Sequence, residues 1–313
     1  MKHRFTLPFL IAVAMAVPAA AQDTVRFGAG QQGSQNYGVN AALAQAIDEG
    51  TDLSVQVQSF GGPTAYLPLL ETGELDFAAV VTPDAGDAVR GQGPFDGTPM
   101  GNLRLVAALF PSPVGLMVRK DAGIATIADL RGKRIAWGIP AQASLQPYVE
   151  GALANGGLTE ADVTPVPVAS VANGVDALIA GDVDAALFAL RSGKVVEADS
   201  STSGILWLPF DDSAAAVQAM TDLAPEAYLL AFDGDDKVVG IDGPTMTMAY
   251  DYVLLANAAV PDAAVETVVR LLTEQGAQLG AANPVLGAIS PQTLGRDYPA
   301  FQRHPGAPAA PGQ

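Results

Sequence analysis

The chain has 313 residues, of which 49 % are apolar and 16 % charged, with no cysteine and a formal net charge of −17. The absence of cysteine excludes disulfides, thiolate catalysis, thiolate metal sites and a lipid anchor on an N-terminal cysteine. The acidic balance repels nucleic acid and anionic lipid headgroups, and high apolar content with low charge density predicts a well-cored globular protein.

Residues 1–21, MKHRFTLPFLIAVAMAVPAAA, carry Lys2 and Arg4, then an apolar run too short to span a bilayer, then Ala19 and Ala21 at an A-x-A cleavage site. They predict a signal peptide and a mature chain beginning near Gln22. Losing Lys2 and Arg4 takes the formal charge from −17 to −19. No twin-arginine pair is present, so export of an unfolded chain without a preloaded cofactor is expected. The expected location is the periplasm of a Gram-negative cell, as a soluble monomer. About 290 mature residues favour two lobes over one.

Residues 24–47 read as a short strand, a glycine-rich turn and a helix with Val39, Leu43, Ala46 and Ile47 on one face. Gly28, Gly30 and Gly33 spell G-x-G-x-x-G, the dinucleotide fingerprint. That fingerprint needs an acid at the end of the second strand to hold the ribose, and here the strand at 53–58 runs into Ser59 and Phe60. The turn therefore reads as backbone donors and a helix N-terminus offered to a small anion. Gly33, Ser34, Asn36 and Tyr37 are the candidate contacts, and a turn that only packs helix on strand stays open as the alternative.

Gly61, Gly62 and Pro63 then turn into a helix through Tyr66, Leu69 and Leu70 that stops at Gly73. The strand at 75–81 is apolar on both faces and ends in Thr82-Pro83-Asp84, which reads as a helix start with Thr82 as cap. Strand alternating with helix predicts a parallel sheet. A surface loop at 91–101 precedes an apolar stretch at 103–118 broken by Pro111 and Pro113, which suits a crossing between lobes.

The second lobe repeats the plan: a short helix at 127–130, a strand at 135–138, a loop to Ser144, a helix lined by Leu145, Val149 and Leu153, a helix capped by Ser170, and a strand at 183–190. GELDFAAV (73–80) and GDVDAALF (181–188) share a helix-ending glycine, an acid and a buried strand. Further on, a strand at 205–210, a helix at 211–223, an acidic loop at 233–243, a strand at 246–256 returning to the first lobe and an amphipathic helix at 262–279 are expected. The end, 305–313, reads as disordered. The resulting fold class is α/β in two lobes, each a mostly parallel sheet flanked by helices. The signal occupies 1–21, lobe 1 comprises 22–110 plus 245–313, and lobe 2 comprises 111–244.

The ligand is expected between the lobes, against Ser59, Phe60, Gly61, Thr82 and Asp84 of the first and Trp137, Gln142, Ser144, Arg191 and Ser192 of the second. Arg191 follows a buried strand and can grip a carboxylate bidentately, or pair with Glu197 or Asp199. Aromatic residues at strand ends (Phe60, Tyr66, Phe110, Trp137) raise the expectation of a ligand with an apolar or ring portion. No catalytic residue, metal or cofactor is assigned. His3 leaves with the signal and His304 lies near the end. Asp233, Asp235, Asp236 and Asp242 lack the late glutamate of a calcium loop, and Ser192 and Lys194 stand at i, i+2, where they need not face each other.

The glycine-rich turn, Gly61-Gly62, GELDFAAV, LRLVAALFPSPVGLMVRKDAGIATIADLRGKRIAWGIP, GDVDAALF and a terminal HPGA occur in an order and spacing that resembles the TAXI family, the solute-binding subunits of TRAP (tripartite ATP-independent periplasmic) transporters. The resemblance covers nearly all of the mature chain. It implies a two-lobed periplasmic binding protein of type II (Venus flytrap) without catalysis that hands a small carboxylate, chiefly glutamate or 2-oxoglutarate, to sodium-coupled membrane permease subunits. The chain departs from the family where the ligand should sit: Asn36, Tyr37 and Gly38 in place of two tyrosines and a proline, Pro63 to Tyr66 in place of Ser-x-Glu-Asn, and Ala141 to Ser144 in place of Gly-Ser-Gly-Thr. Leu190 to Gly193 likewise replace the family's usual turn of small residues. Asn36 is the expected start of its own specificity, and the pocket is expected to take a bulkier acid than glutamate. A sensory binding protein and a periplasmic enzyme using a cleft acid such as Asp84 are the alternatives from other classes.

Overall fold

The computed structural model describes residues 24–32, 34–232 and 238–307. The expected signal segment, the cleavage point, Gly33, Asp233, Asp235 and Asp236 of the acidic loop, and 308–313 lie outside the described residues.

The first unit follows the expected alternation. Strand β1 (Thr24–Ala29) leads into helix α1 (Gln35–Gly50), strand β2 (Ser54–Ser59), helix α2 (Pro63–Thr72), strand β3 (Phe77–Val81) and helix α3 (Thr82–Arg90). β1 pairs parallel with β2 along its whole length and with β3 at Phe27 and Phe77. α1 starts where it does because Ser34, in extended backbone, accepts the Tyr37 N–H, and it buries Val39, Leu43 and Ile47. Thr82 does not cap α3. Val81 holds the cap position, and the Thr82 hydroxyl accepts the Asp251 N–H instead.

Strand β4 (Leu103–Arg119) runs unbroken through Pro111 and Pro113. Beyond it come β5 (Arg134–Trp137), α4 (Gln146–Asn155), β6 (Thr164–Pro167), α5 (Val171–Ala180), β7 (Ala186–Ala189), α6 (Gly193–Ser201), β8 (Ile205–Trp207), α7 (Ala214–Thr221) and β9 (Tyr228–Phe232). Strand β10 (Thr245–Asn257), α8 (Asp262–Gln275) and α9 (Pro291–Leu294) complete the order. β4 and β10 pair antiparallel from Leu103 and Asn257 to Val114 and Met248. β7 joins the other edge of β4 only from Val114 onward, so both prolines sit where that edge has no strand beside it among the described residues, and β8 pairs with β4 from Met117 on the edge that β10 has left. β9 adds to β10, and β5 pairs parallel with β6.

Both long strands pass from one core to another. β4 gives Val106, Leu109 and Phe110 to a core with α1 and α8, then Val114, Leu116 and Val118 to a core with α4. On the same face of β10, Tyr252, Leu254 and Ala256 belong to the first core and Met248 and Tyr250 to the second. This is the architecture of a two-lobed flytrap joined by two crossing strands. The change of core falls between Phe110 and Val114 on one strand and between Tyr250 and Tyr252 on the other.

The likeness of GELDFAAV and GDVDAALF is structural. Gly73 and Gly181, at φ 78° and 80°, end α2 and α5 in the left-handed conformation that glycine adopts without strain. Three residues later Asp76 accepts from the backbone N, Nε and Nη2 of Arg26 at 2.7, 2.8 and 2.9 Å. Asp184 does the same for Arg134 at 2.8, 3.2 and 2.8 Å. One device thus locks the central strand of each unit to the joint that follows it.

Several expectations need correction. The strand at 183–190 shortens to β7, and the helix at 211–223 to α7, because Asp211 accepts the Ser213 N–H and Ser213 caps the helix. β6, β9 and α6 were not foreseen; β6 reads TPVP, with two prolines that a sheet edge tolerates. The end is ordered at least to Ala307. The His304 N–H donates to Leu105 O at 2.9 Å, and His304 and Ala307 are buried.

The Arg134 guanidinium holds the Asp184 carboxyl below the ordinary carboxylate range. Its stabilisation is therefore present above about pH 4 and lost as the pH falls through the lower folded value. Asp184→Ala is expected to lower stability by about 2 kcal/mol at pH 7, in urea unfolding, and by much less at pH 3.

Candidate functional site

At the crossover lies a cavity of about 500 Å³. Its floor is Tyr250 and Tyr252 of β10 with Ser112 and Val114 of β4. Ser34, Gln35 and Asn36 at the start of α1, and Val81, line it from the first unit. From the second come Gln142, Leu145, the Val171–Ala172 start of α5, Leu187 to Ala189 of β7, and the Ser192 to Lys194 start of α6. Three helix N-termini, two from one side of the crossover and one from the other, thus face one space. The first-turn N–H groups and dipoles of these helices favour an anion there.

Most of the remaining lining is apolar, with hydroxyls and amides interspersed. Burial keeps the Tyr250 and Tyr252 phenols protonated well above their ordinary range, so both remain hydrogen-bond donors. Tyr250 stands edge-on to Tyr148, and Tyr252 stacks on Phe110 at 4.9 Å, which fixes both rings. Lys194 is the cation among the lining residues. Its Nζ is held by Asp176 at 2.6 Å and Glu197 at 3.1 Å, which raise its pKa.

Of the residues expected to meet the ligand, Ser34, Asn36, Gln142 and Ser192 line this cavity. Their own bonds show how they are held: Gln142 Oε1 accepts the Val171 N–H at 3.1 Å and Ser192 Oγ the Lys194 N–H at 3.3 Å. Asn36 is largely committed to the scaffold. Its Oδ1 accepts the Gly30 N–H at 2.7 Å, and its Nδ2 donates to Ala79 O at 3.0 Å and Tyr66 Oη at 3.3 Å. Asn40, one turn on, bonds both the N–H and the C=O of Ala79. β1 leaves β3 after Phe27, and these two asparagines satisfy the strand edge in its place.

The other expected residues lie elsewhere. Tyr37 is half-buried off the lining, Ser59 Oγ donates to Gly30 O at 2.9 Å, and Phe60 packs on Tyr66. Gly61 is exposed, and Thr82 is used by Asp251. Trp137 packs in the second core. Arg191 is exposed, with Cζ 5.6 Å from the Phe232 ring centre; it borders a small gap shared with Gln35 and Ser112 and an outer cavity beside Val195 and Val238, but not the main cavity. Asp84 and Ser144 are both buried where α3 meets the loop before α4, behind the cavity rather than in it.

Gln35, Ser112, Lys194, Tyr250 and Tyr252 were missed. The tyrosines lie more than two hundred residues from α1 and reach it only because β10 returns along β4. The run MAYDY, polar and aromatic inside an otherwise apolar crossing strand, was the available signal.

Comparison with known proteins agrees with this geometry. The profile of the NMT1-like family matches residues 27–310. Among solved structures, the periplasmic aliphatic sulphonate binding protein SsuA of Escherichia coli superposes with a TM-score of 0.51 at 16 % identity, over 85 % of this chain and 78 % of that one. PhnD1 of Prochlorococcus marinus (MIT 9301), in complex with methylphosphonate, gives 0.56 at 12 % identity, over 86 % and 92 %. The VFT2 domain of Bordetella pertussis BvgS, a double mutant, gives 0.51 at 12 % identity, over 83 % and 91 %. At these identities the likeness is one of fold. No helix among the described residues is long and apolar enough to cross a membrane.

Asn36→Ala would leave the Gly30 N–H without its partner and withdraw one donor from Ala79 O. It is expected to lower stability by about 2 kcal/mol, whereas Gln35→Ala, whose side chain carries no such bond, should stay within about 0.5 kcal/mol in the same urea titration.

Proposed function

This chain belongs to the NMT1-like family, and on that premise we propose that it is an extracytoplasmic solute-binding protein that captures a small organic acid between two lobes. The observation that carries this reading is the convergence of the α1, α5 and α6 N-termini, from both sides of the crossover, on one cavity of about 500 Å³. That volume is in the range of small-molecule sites. Lobe 1 comprises 22–110 plus 245–313 and lobe 2 comprises 111–244, with β4 and β10 shared between them. Closing the lobes brings the donors of both onto one ligand, and a ligand stabilises the closed form only by its greater affinity for it.

Within that class we assign the chain to the TAXI type, delivering its ligand to TRAP permease subunits; the support is the ensemble of segments from the glycine-rich turn to HPGA. The ligand is a carboxylate with an apolar or ring portion. Its head meets backbone N–H groups and the hydroxyls of Ser34, Ser112 and Ser192, because Lys194 is already shared between two acids. Its body lies against Val114, Leu145, Leu187 and Phe188. The described lining holds no carboxylate or imidazole, which supports capture rather than acid–base turnover. The tetrahedral heads named for SsuA and PhnD1 could use the same donors, so the head group is the point to test.

Native mass spectrometry of freshly purified protein should show one organic acid carried through purification. Calorimetry with glutamate, 2-oxoglutarate, arylalkyl carboxylates, an alkanesulfonate and methylphosphonate should then find an aryl or branched carboxylate bound more tightly than glutamate. Ser112→Ala, which removes one of the hydroxyls assigned to the head, is expected to weaken it about tenfold, or 1.4 kcal/mol. Glutamate binding as tightly as every larger acid would sink the size reading, preference for the sulfonate or phosphonate the carboxylate reading, and no binding at all the solute-binding reading.

A further inference from the structure

One face of α3 meets the second lobe. Asp84, Asp87 and Arg90 lie along it at spacings of three residues, and Ser144, Tyr148 and Glu226 lie opposite. Arg90 makes an ion pair with Glu226 across the lobes and a second, at 3.5 Å, with Asp87 on its own helix. The Tyr148 hydroxyl donates to the other oxygen of Glu226 at 3.1 Å. Asp87 and Glu226 therefore share one guanidinium, Asp84 lies beside them, and none of the three carboxyls is well exposed: Asp84 is 7 % accessible, and the side chains of Asp87 and Glu226 are 17 % and 8 % accessible.

Asp84 has no basic partner within this set. Helix α2 offers it the Tyr66 phenol and β10 the phenols of Tyr250 and Tyr252, all held protonated by burial. The short turn at Gly93–Phe95 and the loop at Pro140–Leu145, which also meet α3, bring no ionisable group, only the Ser144 hydroxyl. The Asp251 carboxylate, also on β10, is held by Arg296, Tyr228 and Tyr298. Ser144 Oγ is sealed from solvent without a well-formed hydrogen bond, yet it stands close enough to Asp84 and Asp87 to hold both carboxyls down.

We propose that this face of α3 is a proton-linked latch: the lobes close over the ligand with uptake of one proton by Asp84, so that closure is favoured as the surroundings acidify. When the lobes part, Asp84 regains water and becomes an ordinary carboxylate. When they meet, it is buried against a hydroxyl and three phenols, beside two other acids that already share the only arginine of the cluster. An ionised Asp84 would then be an unpaired buried charge. Burial, opposed by Ser144 and reinforced by Asp87, accordingly raises it to about 7. Between the open value near 4 and the closed value, each unit of falling pH favours closure about tenfold. The latch acts on the site described above and rests on the two-lobed capture reading.

The chain has no cysteine, so Glu49→Cys and Glu160→Cys, exposed positions in the two lobes, can carry spin labels without background. Pulsed dipolar distance measurements on the ligand-free protein should show the closed-to-open ratio rising about tenfold from pH 8 to pH 6. Asp84→Asn, a neutral mimic of the protonated acid, should remove the pH response and leave more closed protein at pH 8. Ser144→Ala, which withdraws the hydroxyl favouring the ionised form, should move the midpoint to higher pH. A ratio constant from pH 5.5 to 8.5, an Asp84→Asn protein that keeps the response, or an unmoved midpoint in Ser144→Ala would each overturn the latch. Because no ligand is used, a pH response without any binding in the calorimetric panel would sink the capture reading and leave the latch standing. Binding without a pH response would do the reverse.

Discussion

The pairing of β4 with β10 is the constraint on which everything else hangs. These two strands run side by side through the first core and part as they enter the second at Val114 and Met248, so each lobe draws on the same pair of backbones. Register shifts at Tyr252/Val253 and Leu254/Leu255 mark irregularities beside the point where the cores change over. Such a joint lets two hydrophobic cores share backbone without sharing packing. It also forces the polar residues of the crossing, Ser112, Tyr250 and Tyr252, to the floor of the space between them.

The Arg–Asp lock repeated in both lobes explains why helix starts converge above that floor. Arg26 with Asp76, and Arg134 with Asp184, tie the beginning of a central strand to the joint leading into its neighbour. The other ends of these strands point at the crossover, and chain leaving them turns back into helices. In the first lobe the chain leaving β1 enters α1, and in the second the chain leaving β7 enters α6, with α5 following the neighbouring strand β6. The G-x-G-x-x-G of the opening turn belongs to this plan: a Cβ at Gly28 would stand 2.7 Å from Leu75, and one at Gly30 3.1 Å from Asn36. Close packing accounts for both glycines without any nucleotide.

Specificity and opening are handled by different residues. The cavity's donors come from backbone and hydroxyls, and the charged residue of its described lining, Lys194, is tied up with Asp176 and Glu197. Behind it, α3 places ionisable groups against the second lobe, where they meet only when the lobes do. Asp84 and Ser144, both expected at the ligand, thus find each other instead.

The sequence by itself determined the fold class, the internal repetition and the crossing. Apolar periodicity, helix-ending glycines and the matched GELDFAAV and GDVDAALF segments are local signals, and local backbone preference decides them. It also showed that glycine-rich and hydroxyl-bearing turns cluster at helix starts, and so Ser34, Gln142 and Ser192 were legible. What the tertiary structure alone decided is which side chains turn toward the cavity and which toward each other. Asn36 is drawn to the open edge of β3 left when β1 ends, and Arg191 lies on Phe232 while Lys194, three residues on, turns inward. Tyr250 and Tyr252 arrive from a strand two hundred residues away. The opening G-x-G-x-x-G turn shows the difference: its pattern is written in six residues, but its meaning depends on Leu75 packed behind it and on α5 and α6 facing it, contacts that no local pattern contains.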